Sequence, residues 1–234
     1  MDLGSHALMS EAQAKTTETQ ATAPAPKPVA EKQAKKGDEL LVFNRWSCDV
    51  EVKEEGLKRY LSVKPVIVPK TGARYAGSRF HKSRVNIVER LINRLMIPGH
   101  KAKKHKLTSG NCTGKANTAY DLVYQTFEII EQRTKKNPVE VLVRAVENAA
   151  PREEILTIEY GGARYPKPVE CSPQRRIDVV LRLMTQGAFQ KQFGSKKTSA
   201  SAIADEIVAA YQLSQNSVAI AKKLETERQA DSSR

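Results

Sequence analysis

Basic side chains are concentrated between Arg79 and Lys106, where nine Lys or Arg residues stand against a single acid, Glu89. Ammonium and guanidinium groups bind phosphates and release the counterions that condense on nucleic acid, so this composition favours a polyanion as the ligand. An ordinary solvated face usually mixes both signs of charge and is therefore the weaker interpretation. The basic candidates of this stretch are Arg79, Lys82, Arg84, Arg94, Lys101, Lys103, Lys104 and Lys106.

Further candidates lie at breaks in the predicted elements. Arg152 directly follows a helix break at Pro151. Arg164 and Tyr165 follow the turn signal Gly161-Gly162, where an aromatic ring or a guanidinium could stack on an RNA base. These three residues are therefore predicted to contact RNA.

Two adjacent arginines begin a predicted helix. The N-terminus of a helix favours acids, so Arg175 and Arg176 in its first turn oppose the helix dipole, and an external anion is their expected partner. The alternative is pairing within the chain, with a carboxylate such as Glu153, Glu154 or Asp178.

The chain shows no constellation typical of an enzyme. It has no glycine-rich phosphate loop followed by Lys and Ser or Thr, and no nucleophile elbow. Thr113-Gly114-Lys115 alone is too short a match, and paired acids such as Glu153-Glu154 read as solvated surface. No catalytic residue and no cofactor is predicted.

Metal and membrane sites are also not predicted. His100, His105 and Cys112 lack a fourth ligand at suitable spacing, and the lysines around them would repel a cation. The other cysteines, Cys48 and Cys171, form no short-spaced set, which indicates a reducing compartment rather than a disulfide framework. No apolar run is long enough to span a bilayer, and the first residues do not resemble a signal peptide.

The 234 residues carry a formal charge of +13, which points to nucleic acid or an anionic surface as the partner. Residues 1–37 contain almost no large apolar side chain and are predicted to be a disordered extension. Residues 38–234 are predicted to form one helical domain.

Hydrophobic periodicity predicts a mainly α fold, a bundle of about six helices with an inserted β-hairpin arm at 154–171. Short extended pieces are expected over 40–43, 50–52 and 63–68. Predicted helices cover 83–96 and 116–135, begin after the caps Asn137 and Ser172, cover 199–212, and begin again after Ser217, with fraying expected beyond Glu227.

Three motifs together carry a family resemblance: VNIVERLINRLM, GKANTAYDLVYQTFEIIEQRTKKNPVEVLVRAVENAAPREE and YGGARYPKPVECSPQRRIDVVLRLMTQGA. In this order they resemble the universal small-subunit ribosomal protein seven family, called protein five in eukaryotes, over about Leu40 to Arg234. The string PREE and the segment Leu40 to Lys82 resemble the archaeal and eukaryotic branch, and the Gly-Gly hairpin with Tyr-Pro looks archaeal. The family commonly has a second basic residue after Gly-Lys, where this chain has Ala116.

The resemblance implies a non-enzymatic, cytoplasmic protein of the small ribosomal subunit. It implies binding to the 3′ major domain of the ribosomal RNA, organisation of the subunit head, and contacts with neighbouring ribosomal proteins. The arginines and lysines above, joined by Lys115, would bind rRNA phosphates. The tip residues Arg164 and Tyr165 would face the exit-site tRNA, and Arg234 would approach the mRNA exit path.

Three other classes of protein compete with this interpretation. A DNA-binding helical chromatin or regulatory protein is the main alternative, and a short turn between two short helices would favour it. A metabolic enzyme with a basic groove lacks catalytic groups. A peripheral membrane protein should carry aromatic anchors on its basic helix, and the predicted helix 83–96 has none.

Overall fold

Seven α-helices and one β-hairpin make up the described residues, 40–98 and 113–234, of a computed structural model. In chain order the elements are α1 (Glu55–Lys58), a 3₁₀ turn (His81–Arg84), α2 (Ile87–Leu95), α3 (Ala116–Thr134), α4 (Pro138–Ala149), β1 (Glu153–Tyr160), β2 (Ala163–Glu170), α5 (Pro173–Gln192), α6 (Ser199–Tyr211) and α7 (Val218–Ser232). The predicted class, mainly α with an inserted hairpin, is confirmed. The prediction for 1–37 and most of the basic loop after α2 lie outside the described residues.

The first predicted helix is divided in two. Asn86 caps α2 with its side chain, which accepts a hydrogen bond of 2.9 Å from the Val88 N–H. This cap fixes the start of α2 at Ile87 rather than at Ser83, because the N-cap residue itself is not helical. The preceding residues, His81–Arg84, form the tighter 3₁₀ turn instead.

Local capping signals set two other helix starts, in different ways. The side-chain oxygen of Asn137 accepts from the Val139 N–H at 3.0 Å, so the predicted N-cap of α4 is confirmed. The amide that it caps is that of Val139, the second residue of the helix. Ser172 makes no side-chain cap bond, so the start of α5 rests on Pro173 at its first position.

The hairpin turn is built from two glycines. Gly161 and Gly162 have φ angles of 58° and 83°, which is the left-handed pair that a two-residue type I′ turn requires. The register places Ile158 opposite Tyr165 and Leu156 opposite Lys167. Every residue from Leu156 to the turn is exposed, so the outer half of the hairpin projects from the helices as an arm.

The base of the arm rests on α7. This helix packs against β1, and Glu227 accepts a hydrogen bond of 3.0 Å from the Arg152 N–H just before the strand. Arg234 forms an ion pair with Glu153, the first residue of β1. Fraying after Glu227 was therefore the wrong prediction: α7 continues to Ser232, with Ala230 fully buried.

The hydrophobic core lies where α3, α4, α5 and α6 meet. One of the residues of α6 that is buried here is a glutamate. Glu206 is fully buried, and its carboxylate accepts hydrogen bonds from the Ser217 hydroxyl at 2.7 Å and from Lys191 Nζ at 2.6 Å. These partners satisfy the hydrogen-bonding capacity of a carboxylate that is removed from water. The largest fully buried apolar side chains of these four helices are Phe127, Ile130, Leu142, Ile177, Met184 and Ile207.

The extended pieces predicted before α2 form no regular sheet among the described residues. Val42 and Trp46 make an isolated antiparallel bridge around Phe43 and Asn44, which both have positive φ angles. The turn carries Phe43 into edge contact with aromatic rings of α3, at 4.7 Å between ring centroids for Tyr120. The segment therefore packs on α3 through the rings of Phe43 and Trp46.

Candidate nucleic-acid interface

The 3₁₀ turn and the loop before it present basic and aromatic side chains to solvent. Arg79 and Arg84 are exposed, and Phe80 between them is 63% exposed. A large exposed ring beside guanidinium groups is the arrangement that RNA readers use for base stacking and phosphate contact. Phe80 did not figure among the sequence candidates, although an aromatic flanked by Arg79 and Lys82 was a visible signal.

A cavity of about 400 Å³ lies between α2 and α5. We call it the α2–α5 pocket, and it is lined by Lys82, Val85, Arg90, Asn93, Arg94, Asp178, Leu181 and Arg182. Asp178 forms ion pairs with both Lys82 and Arg90, the latter at 2.8 Å. Lys82 is therefore held by a carboxylate of α5, a contact that the sequence analysis did not anticipate.

Arg94 is the least satisfied side chain of this pocket. It is half-buried, and its Nε atom is shielded from solvent without a hydrogen-bond partner. Burial lowers the pKa of Arg94, the neighbouring Arg182 guanidinium lowers it further, and Asp178 opposes the shift. The side chain thus carries a positive charge in surroundings that do not fully compensate it.

Lys115 lies at the N-cap of α3 and is exposed, with no side-chain cap bond. Gly114 before it has a φ angle of 78° and turns the chain into the helix. The lysine therefore places an exposed cation near the positive end of the α3 dipole. Lys101, Lys103, Lys104 and Lys106 lie outside the described residues.

Arg175 and Arg176 are adjacent in sequence but separate in environment. Arg175 is exposed and pairs with Glu154 at 2.7 Å, a contact that also raises its pKa. Arg176 is buried: it donates to the Pro151 carbonyl at 2.9 Å and pairs with Glu54 at 2.6 Å. Both arginines therefore form ion pairs within the chain, as the alternative interpretation predicted. Glu154, the partner of Arg175, was among the predicted carboxylates, whereas Glu54, the partner of Arg176, was not.

The remaining candidates lie along the arm. Arg152 is exposed at its base, while Arg164 and Tyr165 are exposed beside the turn. The Arg164 guanidinium is 3.6 Å from Glu159, an exposed pair of the kind that contributes little to stability. Arg234 is engaged by Glu153 at the base of the arm, and so lies far along the hairpin from the tip residues.

A second basic groove, of about 680 Å³, was not foreseen from the sequence. Lys58, Arg59 and Lys64 line it together with Arg84. The sequence of the segment before α2 shows mainly a strand pattern, because its basic residues converge only when α1 brings Lys58 and Arg59 beside the 3₁₀ turn. The groove extends the basic surface from α2 toward α1.

Residues 40–98 and 113–234 contain neither a metal site nor a membrane-spanning helix. No three His, Cys, Asp or Glu side chains in these ranges are arranged to hold a metal ion. His100, His105 and Cys112, the weak metal candidates, fall in the gap between the ranges. None of the described helices is long and apolar enough to cross a membrane.

Comparison with known proteins gives a matching family model and several similar archaeal proteins. Residues 57–234 match the family model described as ribosomal protein S7p/S5e. A protein of Nanoarchaeum equitans named small ribosomal subunit protein uS7 is 52% identical over 199 residues, covering 83% of this chain and 99% of that protein. Proteins of the same name from Methanothermobacter thermautotrophicus and Archaeoglobus fulgidus are 46% and 44% identical, over 82% and 84% of this chain and 98% and 96% of theirs.

Proposed function

The chain belongs to the ribosomal protein S7p/S5e family, in its archaeal branch, and we propose from this that it is a structural component of the small ribosomal subunit. It binds the ribosomal RNA, contacts neighbouring ribosomal proteins and works in the cytoplasm as part of the ribosome. It is not an enzyme, in agreement with the structural role of the family.

The single observation that best supports the RNA-binding role is the basic surface around α2. It extends from the groove beside α1, through the exposed Arg79 and Arg84, to the α2–α5 pocket. Side chains on short helices and tight turns present cations at fixed positions, so they fit the phosphate spacing of a folded RNA rather than a fluctuating polyanion. The RNA that we assign to this surface is the 3′ major domain, and the consequence of binding is organisation of the subunit head.

Among the predicted contacts, the exposed cations suit direct phosphate binding best. Arg79, Arg84, Lys115 and Arg152 are solvent-exposed in the chain alone. Arg176 is better explained as a residue that stabilises the fold, because its Nε and Nη2 atoms both donate hydrogen bonds to groups of the same chain. Arg175 could exchange Glu154 for a phosphate, because exposed ion pairs are weak.

The arm is proposed to extend toward the exit-site tRNA and the mRNA exit path. Support comes from its shape and its tip: Tyr160 is 81% exposed and Tyr165 is exposed on the same face of the hairpin, while Arg164, paired with Glu159, lies on the opposite face. Exposed rings with a neighbouring guanidinium can stack on bases without regard to sequence. Arg234 would reach a passing mRNA only by leaving Glu153, so its role there is the least direct.

The DNA-binding alternative is weakened by the environment of α4. Lys135, Lys136 and Asn137 join α3 to α4 in the way that a helix-turn-helix would require. A recognition helix, however, must expose one face to a DNA groove, and most of α4 is buried, including Val139, Leu142 and Val146.

Sedimentation of a cell lysate through a sucrose gradient tests the proposal. The chain should travel with small subunits, remain bound after a moderate salt wash, and shift to the top of the gradient after ribonuclease treatment. Deoxyribonuclease provides the matched control and should leave its position unchanged. A chain that stays at the top, or that moves only with DNA, would show that the ribosomal assignment is wrong.

A further inference from the structure

The α2–α5 pocket contains more positive charge than the chain itself neutralises. Four of its lining side chains are cationic, Lys82, Arg90, Arg94 and Arg182, and one is anionic, Asp178. An excess of like charge in a cavity is unfavourable unless an external anion enters it. The arrangement within the pocket shows which cations are already used.

Two of the four cations are committed to Asp178. Lys82 contacts one carboxylate oxygen, and Arg90 contacts the other at 2.8 Å. Arg90 is itself buried and also donates to the Tyr60 carbonyl at 3.1 Å. These three side chains form a closed, self-satisfied unit that ties α2 to α5.

The other two cations are left facing each other. Arg94 lies four residues after Arg90, and Arg182 four residues after Asp178, so each is one turn beyond the closed unit on its own helix. The following turns of α2 and α5 also meet, since Leu95 and Thr185 line one cavity, so both arginines lie toward the same end of the pocket. Arg182 is exposed, while the Nε atom of Arg94 is buried without a partner. Their mutual repulsion shows in the pKa of Arg94, which burial lowers most and Arg182 lowers further.

We propose that the α2–α5 pocket binds a single phosphodiester group of an RNA backbone, held between the guanidinium groups of Arg94 and Arg182. This inference rests on the proposed function and assigns one defined contact within it. An anion at this point would satisfy the unpartnered Nε of Arg94 and replace repulsion between the two arginines by shared attraction. The closed unit of Lys82, Arg90 and Asp178 positions the helices and does not itself bind the phosphate.

The chemistry of the walls favours a phosphodiester over a carboxylate of an acidic peptide. Arginine forks pair with carboxylates and phosphates alike, but the oxygens of a phosphodiester are arranged tetrahedrally around phosphorus, so two forks can approach one group from different sides without sharing a plane. Val85 and Leu181 supply apolar wall between the charges, which suits a sugar. A cavity of about 400 Å³ is large enough for a phosphate with its adjoining sugar, since cavities that hold small ligands measure about 300–1,000 Å³.

The test measures RNA affinity of the full chain against salt concentration. The probe is a transcript of the 3′ major domain, and the variants are Arg94→Met, Arg182→Met and the double variant. Each single variant should lower the slope of log affinity against log salt by about one unit, as loss of one phosphate contact predicts. The double variant should also lose about one unit in total, because both arginines act on one phosphate. Arg228→Met, an exposed arginine of α7, is the matched control and should keep the slope.

Thermal unfolding of the same variants separates a binding role from a packing role. Arg94→Met should unfold at the same or a higher temperature than the unaltered chain, because it removes a poorly compensated charge from the pocket. Arg182→Met, which changes an exposed residue, should not change the unfolding temperature. Opposite effects on stability and RNA affinity would support the site.

Several results would overturn the inference. Slopes that stay unchanged in both single variants would show that no phosphate is bound there, while a loss of about two units in the double variant would mean two separate contacts. Variants that lose affinity for a polyglutamate peptide but keep the RNA slope would make the pocket a protein-docking site. An unaltered chain that does not bind the transcript at all would refute the proposed function as well, whereas normal binding with unchanged variant slopes would refute the pocket alone.

Discussion

Replacing Arg176 tests whether this arginine stabilises the fold or binds RNA. Its side chain is only 10% exposed, and its partner Glu54 is 29% exposed. The pair is short, at 2.6 Å, and Arg176 also donates to the Pro151 carbonyl. Because the guanidinium is enclosed by its own chain, Arg176→Met should destabilise the protein without changing how its RNA affinity depends on salt.

The size of the effect follows from the burial of the pair. Removing one partner of a fully buried ion pair costs roughly 3–5 kcal/mol, because the other charge stays behind uncompensated. Water can reach Glu54 in part, so we expect about 2–4 kcal/mol, which is a fall in unfolding temperature of roughly 4–16 °C for a domain of this size. The neighbour Arg175 is the matched control: its exposed pair with Glu154 should cost at most about 1 kcal/mol when replaced by methionine.

Urea unfolding followed by circular dichroism gives both free energies, and a double variant shows whether the pair is the cause. Combining Arg176→Met with Glu54→Gln should cost less than the sum of the two single changes, because each single change strands the other group. If Arg176→Met costs no more than the Arg175 control and lowers the salt slope of RNA binding, Arg176 contacts the ligand and our interpretation of its burial is wrong.

Three further predictions concern stability and reactivity. Gly187→Ala should lower the free energy of unfolding in urea by about 1–3 kcal/mol, because a Cβ at Gly187 would lie 2.9 Å from the Val218 Cβ. Gly77→Ala has open space around it and should cost under about 1 kcal/mol, and equal costs for the two variants would contradict the close packing of Gly187 on Val218. Burial raises the pKa of Cys171 to about 11, so its alkylation at pH 9 should be roughly ten-fold or more slower than that of a free cysteine and should accelerate as the pH approaches the pKa. Peptide mass mapping measures the rate, and a rate equal to that of free cysteine would show that the thiol is not shielded. Asn137→Ala should destabilise the fold by about 1 kcal/mol through loss of the α4 cap, whereas Asn137→Asp should largely retain the stability. An alanine variant as stable as the unaltered chain would show that the cap is dispensable.

Local signals explain why much of the fold could be predicted from the sequence. The cap at Asn137 and the turn at Gly161-Gly162 specify their backbone conformations within a few residues, and both occur where the pattern places them. The start of α2 and the end of α7 were predicted less well. The 3₁₀ turn before Asn86 contains no apolar residue that would mark where the helix begins, and α7 is prolonged by packing on β1 that its own sequence does not reveal.

The basic surface shows a similar division. Arg84 could be identified because composition alone suggests a solvated cation there, whereas Lys115 was identified only through the family resemblance. Arg176 could not be distinguished from Arg175, since the carboxylate that pairs with Arg176 is 122 residues away in the chain. Burial and long-range pairing decide whether an arginine is available to a ligand, and neither is encoded in the local pattern.

The contact between α7 and the base of the arm has a consequence for biosynthesis. The strands are complete at Glu170, but the residues that anchor them, Glu227 and Arg234, are translated only afterwards. At about 5–20 residues per second, the interval between Glu170 and Arg234 is roughly 3–13 s. During that time the nascent chain carries a hairpin whose orientation is not yet fixed, although helices α1 to α5 can already begin to pack. A chain truncated after Thr226 would therefore retain its basic surface and the core contacts of Ala219 and Ile220, while losing the contacts that set the direction of the arm.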